Sequence, residues 1–182
     1  MARKETITKD YLCETAFQLL REEGSGNITA RKLAVRAGCS TQPIFRLYSN
    51  MEELCQELFE KAVVFFEEYY NNAPIYDVTP FVNLGITYIQ FAMEEKHLFQ
   101  MLFFTEKRYG KSLYEILNGS MGAVDKEFIK AEKEGYKRQE EIFTKLWIFI
   151  HGSACMSITG DYDLELVDTI KLLKNVYKEL IM

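Results

Sequence analysis

Apolar residues recur at three- and four-residue intervals along almost the whole chain, and no stretch alternates apolar with polar over a strand's length between turn signals. The pattern predicts an all-α protein. Leu12, Ala16, Phe17, Leu19 and Leu20 form one face of a first helix, capped by Thr8 and stopped by Gly24-Ser25-Gly26. Two short helices follow. Asn50 then caps a long helix, opened by Glu52 and Glu53, that runs through Leu54, Leu58, Phe59, Ala62, Phe65 and Phe66 to about Tyr70. Residues 71–80 hold two of the three prolines and break the period, with Thr79-Pro80 as cap and first-turn proline of the next helix. Beyond lie helices over Phe81 to about Glu95 and His97 to Phe104, a loop around Tyr109-Gly110-Lys111, and a helix near Ser112 to Leu117. Further helices are expected over residues 123–134, Arg138 to about Thr159, and Leu164 to Ile181. The penultimate one is apolar on nearly every side at Leu146-Trp147-Ile148-Phe149-Ile150, so it needs a partner on both faces.

The window Thr29–Ser49, TARKLAVRAGCSTQPIFRLYS, places capping, small and apolar residues where two short helices cross. Thr29 and Ser40 suit N-caps, and Gly38 stands where a tight turn needs a left-handed backbone. Ala34 keeps the crossing close, while Leu33, Ala37, Cys39, Ile44 and Leu47 supply buried contacts. Pro43 falls in the first turn of the second helix, where N–H groups have no intrahelical partner, so it does not break the helix. Helix, turn, helix at this spacing points to DNA reading.

Charge supports a local contact with phosphates. Up to Asn50 the chain has eight Lys/Arg against five Asp/Glu, whereas the remainder has fourteen against twenty-two, for a net charge of −5. An acidic whole argues against a nonspecific nucleic-acid coat. The start, MARKETITKDYL, has no apolar signal region, and no later stretch approaches the about 20 uninterrupted apolar residues of a membrane span, so a cytoplasmic protein without a membrane partner is expected. Cys13, Cys39, Cys55 and Cys155 are scattered without a C-x-x-C pair and fit reduced, mostly buried positions.

The stretch TITKDYLCETAFQLLREEGSGNITARKLAVRAGCSTQPIFRLYSNMEEL resembles the TetR family of bacterial regulators: a first helix, a glycine corner, threonine before the motif, Ala-Gly-small-Ser at the turn, and an aromatic pair before an acidic helix start. The segment Trp147-Ile-Phe-Ile-His151-Gly152-Ser-Ala154 is similar to a Trp…His-Gly signature in the penultimate helix of one group of TetR-type C-terminal domains. The resemblance implies a DNA-binding domain over residues 1–50 and an effector-binding and dimerisation domain over 51–182. It also implies a homodimer built on the last two helices, with Trp147, His151, Gly152 and Cys155 at the interface, and an effector cavity in the middle helices. Two family positions differ. A tyrosine usual in the recognition helix is Phe45 here, and a lysine usual at the next helix start is Met51; both usual residues contact phosphates, and Arg46, Tyr48, Lys32, Arg3 and Lys4 are available to compensate.

Thr41 and Gln42 head the second motif helix and are the base-reading candidates. Thr29, Arg31, Lys32, Phe45, Arg46 and Tyr48 complete the expected contact set on double-stranded DNA, with pure capping an equal alternative for Thr29. The region after Asn50 carries 21 of the chain's 25 aromatics; Phe65, Tyr69, Tyr88, Phe91, Phe99, Phe103 and Phe104 line either an apolar effector cavity or plain core. His151 with Gly152 marks a close helix crossing at the interface, or less simply a ligand-sensing or metal-binding histidine, and His97 is read as solvent-facing or capping.

Catalysis finds little support. Glu94 and His97 have the spacing of a helical di-iron ligand pair, but the required second Glu-x-x-His is missing because Ile148 precedes His151 by three. Gly110-Lys111-Ser112 resembles a phosphate loop, yet Thr105 stands where its first glycine belongs. No metal or cofactor is expected. The alternative to a DNA-binding regulator is a helical ligand-binding or interaction module that has lost operator recognition.

Overall fold

Side-chain caps set where the N-terminal helices begin. In the computed structural model, which describes residues 7–181, Thr8 accepts the Tyr11 N–H at 3.2 Å and starts helix α1 (Lys9–Glu23). Thr29 accepts the Lys32 N–H at 3.2 Å and starts α2 (Ala30–Arg36), and Asn50 accepts the Glu53 N–H at 3.0 Å at the head of α4 (Met51–Asn72). Between them, α3 (Gln42–Leu47) begins after Thr41 rather than Ser40, and no side chain caps it; Pro43 occupies its first turn as expected. Then come α5 (Val82–Glu94), α6 (Lys96–Phe103), α7 (Leu113–Asn118), α8 (Ala123–Lys133), α9 (Gln139–Thr159) and α10 (Leu166–Ile181). The fold is all-α, and no strand occurs among the described residues. Arg3 and Lys4 lie outside the described residues.

Packing divides the chain into two compact units, one up to Val64 with His97–Gly110, the other Phe65–Lys96 with Lys111 onward. The sequence-based domain boundary lies at Asn50, whereas packing places the first part of α4 and His97–Gly110 with the helix–turn–helix. In the first unit Leu12, Ala16, Leu20, Leu33, Ile44, Leu58 and Phe99 are fully enclosed. His97, expected to be solvent-facing or capping, docks its ring against Gly24, and its Nδ1 lies 2.9 Å from the Arg21 carbonyl in the last turn of α1. Gly24 has φ 84°, and a Cβ there would meet the imidazole at 3.3 Å, so both conformation and space call for glycine.

In the second unit α5 packs against α9 and α10. Its start differs from the expected Thr79-Pro80 cap. Phe81 holds the N-cap position in a left-handed conformation, φ 62°, its ring buried against Phe128 and Phe143 and its N–H donating to Glu127 at 2.6 Å. The aromatic cluster and the carboxylate offset the backbone strain. Asp77, nearly enclosed, pairs with Lys174 at 2.7 Å; burial opposes its ionisation, but Lys174 and the Thr79 N–H prevail and hold its carboxyl at about 2. Helix α7 opens with the capping box of Ser112 and Glu115, and Asn118 accepts the Val124 and Asp125 N–H groups at 3.0 Å to start α8.

Among the described residues α9 is the one helix with the length and mean hydropathy of a membrane span. Lys145 interrupts it, and Ile142, Leu146, Ile150, Ser153 and Ala154 are buried, which marks one side as a packed core face. The other side, with Ile148 at 67% and Met156 at 47% exposure, is uncovered in the chain.

The crossing of α5 and α9 depends on Gly85. A Cβ there would stand 2.5 Å from Ile150 Cδ1 and 2.8 Å from its Cγ1, and Ile150 is itself buried. Gly→Ala inside a helix ordinarily gains about 1 kcal/mol, but overpacking a core costs about 1–3 kcal/mol. Gly85→Ala is therefore expected to lower stability in urea unfolding by about 1 kcal/mol. The loss should shrink when Ile150→Val removes the nearer atom, and an equal loss in both backgrounds would show that the crossing does not set it.

Candidate nucleic-acid interface

The turn between α2 and α3 is closed by the backbone. The Cys39 N–H donates to the Ala34 carbonyl at 3.0 Å and the Gly38 N–H to Val35 at 3.2 Å, with Gly38 at φ 66°. No atom lies within 4 Å of a Cβ built on Gly38, so dihedral angle rather than crowding requires glycine. Leu33, Ala34, Ala37 and Ile44 fill the crossing; Cys39 and Leu47 are half-buried. With Ile44 inside, α3 turns Thr41, Gln42, Phe45 and Arg46 to solvent, a contiguous polar and aromatic surface headed by the two base-reading candidates.

The cations differ in freedom. Lys32 is tied to Glu23 at 2.6 Å and to Asn27 at 2.5 Å, and Arg36 to Glu22 at 2.6 Å. Arg31 and Arg46 are exposed and make no ion pair among the described residues. Thr29 is engaged as a cap, the structural half of its two sequence-based alternatives.

Tyr48 does not belong to this surface. Its ring is 1% exposed, Lys9 Nζ lies 4.7 Å from the ring centroid, and its enclosed hydroxyl, with Glu57 and Cys13 nearby, makes no hydrogen bond within 3.5 Å among the described residues. Burial, with Glu57 next in effect, pushes its pKa up, so it is a neutral core residue rather than a phosphate contact. The tyrosine ends α3 just before the helix start that sequence alone places beside DNA, and only the buried face of the turn tells the two roles apart.

The seven aromatics proposed for an effector cavity form two groups. Phe99, Phe103 and Phe104 cluster in the first unit, with centroids 4.9 and 5.6 Å from Phe99. Phe65, Tyr69, Tyr88 and Phe91 belong to the second, where Phe91 receives Phe65 at 6.5 Å and Tyr69 at 5.2 Å. A cavity of about 350 Å³ in the second unit is lined by none of them; Ile86, Ile89 and Met93 of α5 face Leu164, Leu166 and Thr169, with Glu94, Asp163 and Glu165 also in its walls. Sequence reasoning that follows the aromatic residues misses this site because its apolar walls are mainly aliphatic and come partly from the turn before α10.

Of the expected interface residues, Trp147 and His151 turn inward. Trp147 meets Tyr88 edge to face at 4.7 Å, and His151 Nδ1 lies 2.9 Å from the Tyr88 hydroxyl, with burial holding the imidazole below its ordinary pKa. Gly152 is exposed with no atom within 4 Å of a built Cβ, and Cys155 is half-buried beside it. Ile148, Gly152 and Met156, spaced by four, share the open side of α9.

No protein-family model matches the chain, and no curated protein matches it in sequence. Solved structures do match. A TetR-family regulator from Rhodococcus sp. superposes with a TM-score of 0.63 at 12% identity, over 95% of this chain and 98% of that one. The fatty acid degradation regulator FadR from Bacillus halodurans superposes at 0.60 with 20% identity, over 98% and 97%. RolR in complex with resorcinol superposes at 0.53 with 11% identity, over 94% and 91%. The chain has the TetR-like fold.

Because the Tyr48 hydroxyl makes no hydrogen bond among the described residues, Tyr48→Phe is expected to keep or raise the thermal midpoint, while Tyr48→Ala, leaving a cavity, should cost about 3–5 kcal/mol. A loss on Tyr48→Phe comparable to that of the alanine variant would place an essential bond at the hydroxyl.

Proposed function

We propose that this TetR-like fold serves as a DNA-binding transcriptional repressor that holds a palindromic operator as a homodimer and releases it on binding a small, mainly apolar effector. The observation that carries the reading is the outward set Thr41, Gln42, Phe45 and Arg46 on a short helix fixed by buried Ile44. Residues 1–50 make the DNA contacts, and 51–182 bind effector and partner. Gln42 and Thr41 read base edges; Arg31, Arg46 and Lys32 face phosphates. Two such helices must enter major grooves about 34 Å apart, so an effector favouring another spacing releases the operator. The matched RolR structure holds resorcinol, and FadR is named for fatty acid degradation, which supports a small-molecule effector for this fold. The cavity between Ile86 and Leu166 is offered as its site; three carboxylates in its walls disfavour anions.

Genomic fragments retained by the purified protein test the reading and supply the operator. On that operator Gln42→Ala is expected to weaken specific binding by about 1–3 kcal/mol and nonspecific binding little. Equal losses on both DNAs would make Gln42 a backbone contact. Met51→Lys should tighten binding on all sequences and steepen the salt dependence by about one unit of slope, and Phe45→Tyr should tighten it without that change. An unchanged slope for the lysine would place residue 51 away from phosphates.

The homodimer rests on the open side of α9 together with exposed Leu166 and Val167 on α10. A mass near twice 21.3 kDa is expected in sedimentation, reduced to the monomer by Ile148→Glu combined with Met156→Glu. A monomeric parent chain at micromolar concentration would remove the dimer and the palindrome alike.

A further inference from the structure

A cleft of about 450 Å³ lies wholly inside the unit that carries the helix–turn–helix. Glu52, Cys55 and Phe59, spaced by three and four along α4, form one wall, and Gln100 and Phe104 stand on the α6 side. The end is closed by Tyr109, whose ring packs 5.3 Å from Phe59 and whose phenol lies close enough to the Glu52 carboxylate for that charge to raise its pKa, after burial. Tyr109 holds φ 49°, a left-handed conformation costly for a tyrosine, so the contacts to Glu52 and Phe59 keep it against backbone strain. Glu52 also pairs with Lys107 at 2.6 Å, and Lys107 donates its N–H to Thr105 Oγ1 at 3.1 Å.

These groups define a ligand. The volume suits a molecule of one or two rings. Glu52 and Lys107 cancel in charge, and the other lining residues are uncharged, so neither an anion nor a cation finds an unmatched partner. Phe59, Phe104 and Tyr109 offer ring faces, while Gln100 and Thr105 offer hydrogen bonds at the edge.

The cleft also adjoins the support of α3. Glu53, the neighbour of Glu52 in the first turn of α4, accepts the Ser49 N–H at 2.8 Å in the short link from α3. A ligand that displaces Tyr109 or opens the Glu52–Lys107 pair disturbs that same helix turn. We propose that this cleft is a second small-molecule site, inside the DNA-binding unit, that takes an uncharged one- or two-ring molecule with hydrogen-bonding edges and acts on α3 through the first turn of α4. The action on DNA rests on the regulator reading; the binding does not.

Cys55 serves as a reporter. Its thiol is half-buried in the cleft and burial raises its pKa, so iodoacetamide modifies it slowly under mildly alkaline conditions. The probe is prodan, an uncharged two-ring naphthalene ketone with a hydrogen-bond-accepting carbonyl, whose emission brightens and shifts to the blue on binding. At about ten times its half-saturating concentration, alkylation of Cys55 followed by mass spectrometry is expected to slow about tenfold, with Cys39 and Cys155 unchanged. Gln100→Trp, which fills the cleft, should abolish the protection; if that variant fails to fold, the wild-type pattern decides alone. No binding, or protection of Cys155 in place of Cys55, overturns the site. With Cys55 protected, the dye should reduce retention of genomic DNA fragments by the wild-type protein. Retention unchanged by the dye overturns the coupling, whereas a protein that retains no DNA without dye overturns the regulator reading and leaves the protection of Cys55 as the test of binding.

Discussion

Helix α3 has six residues, too few to be helical alone, because nucleation fixes several dihedrals for its first hydrogen bond. Its existence and direction therefore depend on one interaction, the complete burial of Ile44 against the enclosed core that also holds Leu33 and Tyr48. No side chain caps its first turn; the Gly38 turn delivers the chain to it, and after it Asn50 accepts the Glu53 N–H while the Glu53 carboxylate accepts the Ser49 N–H. The proposed recognition surface is thus a consequence of the core. A substitution at Ile44 would alter what Gln42 and Arg46 face without touching either.

Ion pairs around this unit matter more for the charge they leave than for the stability they add. Lys9 with Glu53 and Glu57, Lys61 with Glu14, Lys32 with Glu23, and Arg36 with Glu22 are all substantially exposed, and such pairs contribute about 0–1 kcal/mol each. Together they neutralise most acids of the first two helices. Arg31 and Arg46 remain without carboxylate partners among the described residues, so α2 and α3 each present an unneutralised cation. Phosphates would displace Lys32 from Glu23 at little cost, since that pair is solvated at both ends.

Local signals carry the helical architecture, and long-range contacts carry what local signals miss. Thr8, Thr29 and Asn50 cap the helices that their spacing implies, and the ten α-helices among the described residues follow the apolar period closely. The start of α5 departs from the Thr79-Pro80 cap because Phe81 adopts a left-handed backbone for the sake of Phe128, Phe143 and Glu127, all more than forty residues away. His97 reads as solvent-facing or capping in the sequence because its partner, the Arg21 carbonyl, is offered only by the last turn of another helix. At the site, the face of α3 is legible from period alone, but an aromatic at a helix end does not reveal whether it points in or out. Tyr48 points in and Phe45 points out.

The two glycines at α5 and α9 show how one helix can be apolar all round. On the inner side the missing Cβ of Gly85 is already used: Ile150 and Leu173 occupy its space, and α5 approaches α9 as closely as backbones and isoleucine allow. On the outer side the missing Cβ of Gly152 has no neighbour within 4 Å, although Ile148 and Met156 flank it with apolar surface. A small residue between large ones on an exposed helix forms a hole, and in the proposed homodimer a facing helix of the same sequence would bring an Ile148 or Met156 to fill it. Such self-complementarity suits a two-fold arrangement, in which each α9 offers both hole and knob to its copy. The inner packing thereby limits where that copy can go, because Trp147 and His151, turned toward Tyr88, leave only the stripe through Gly152 open.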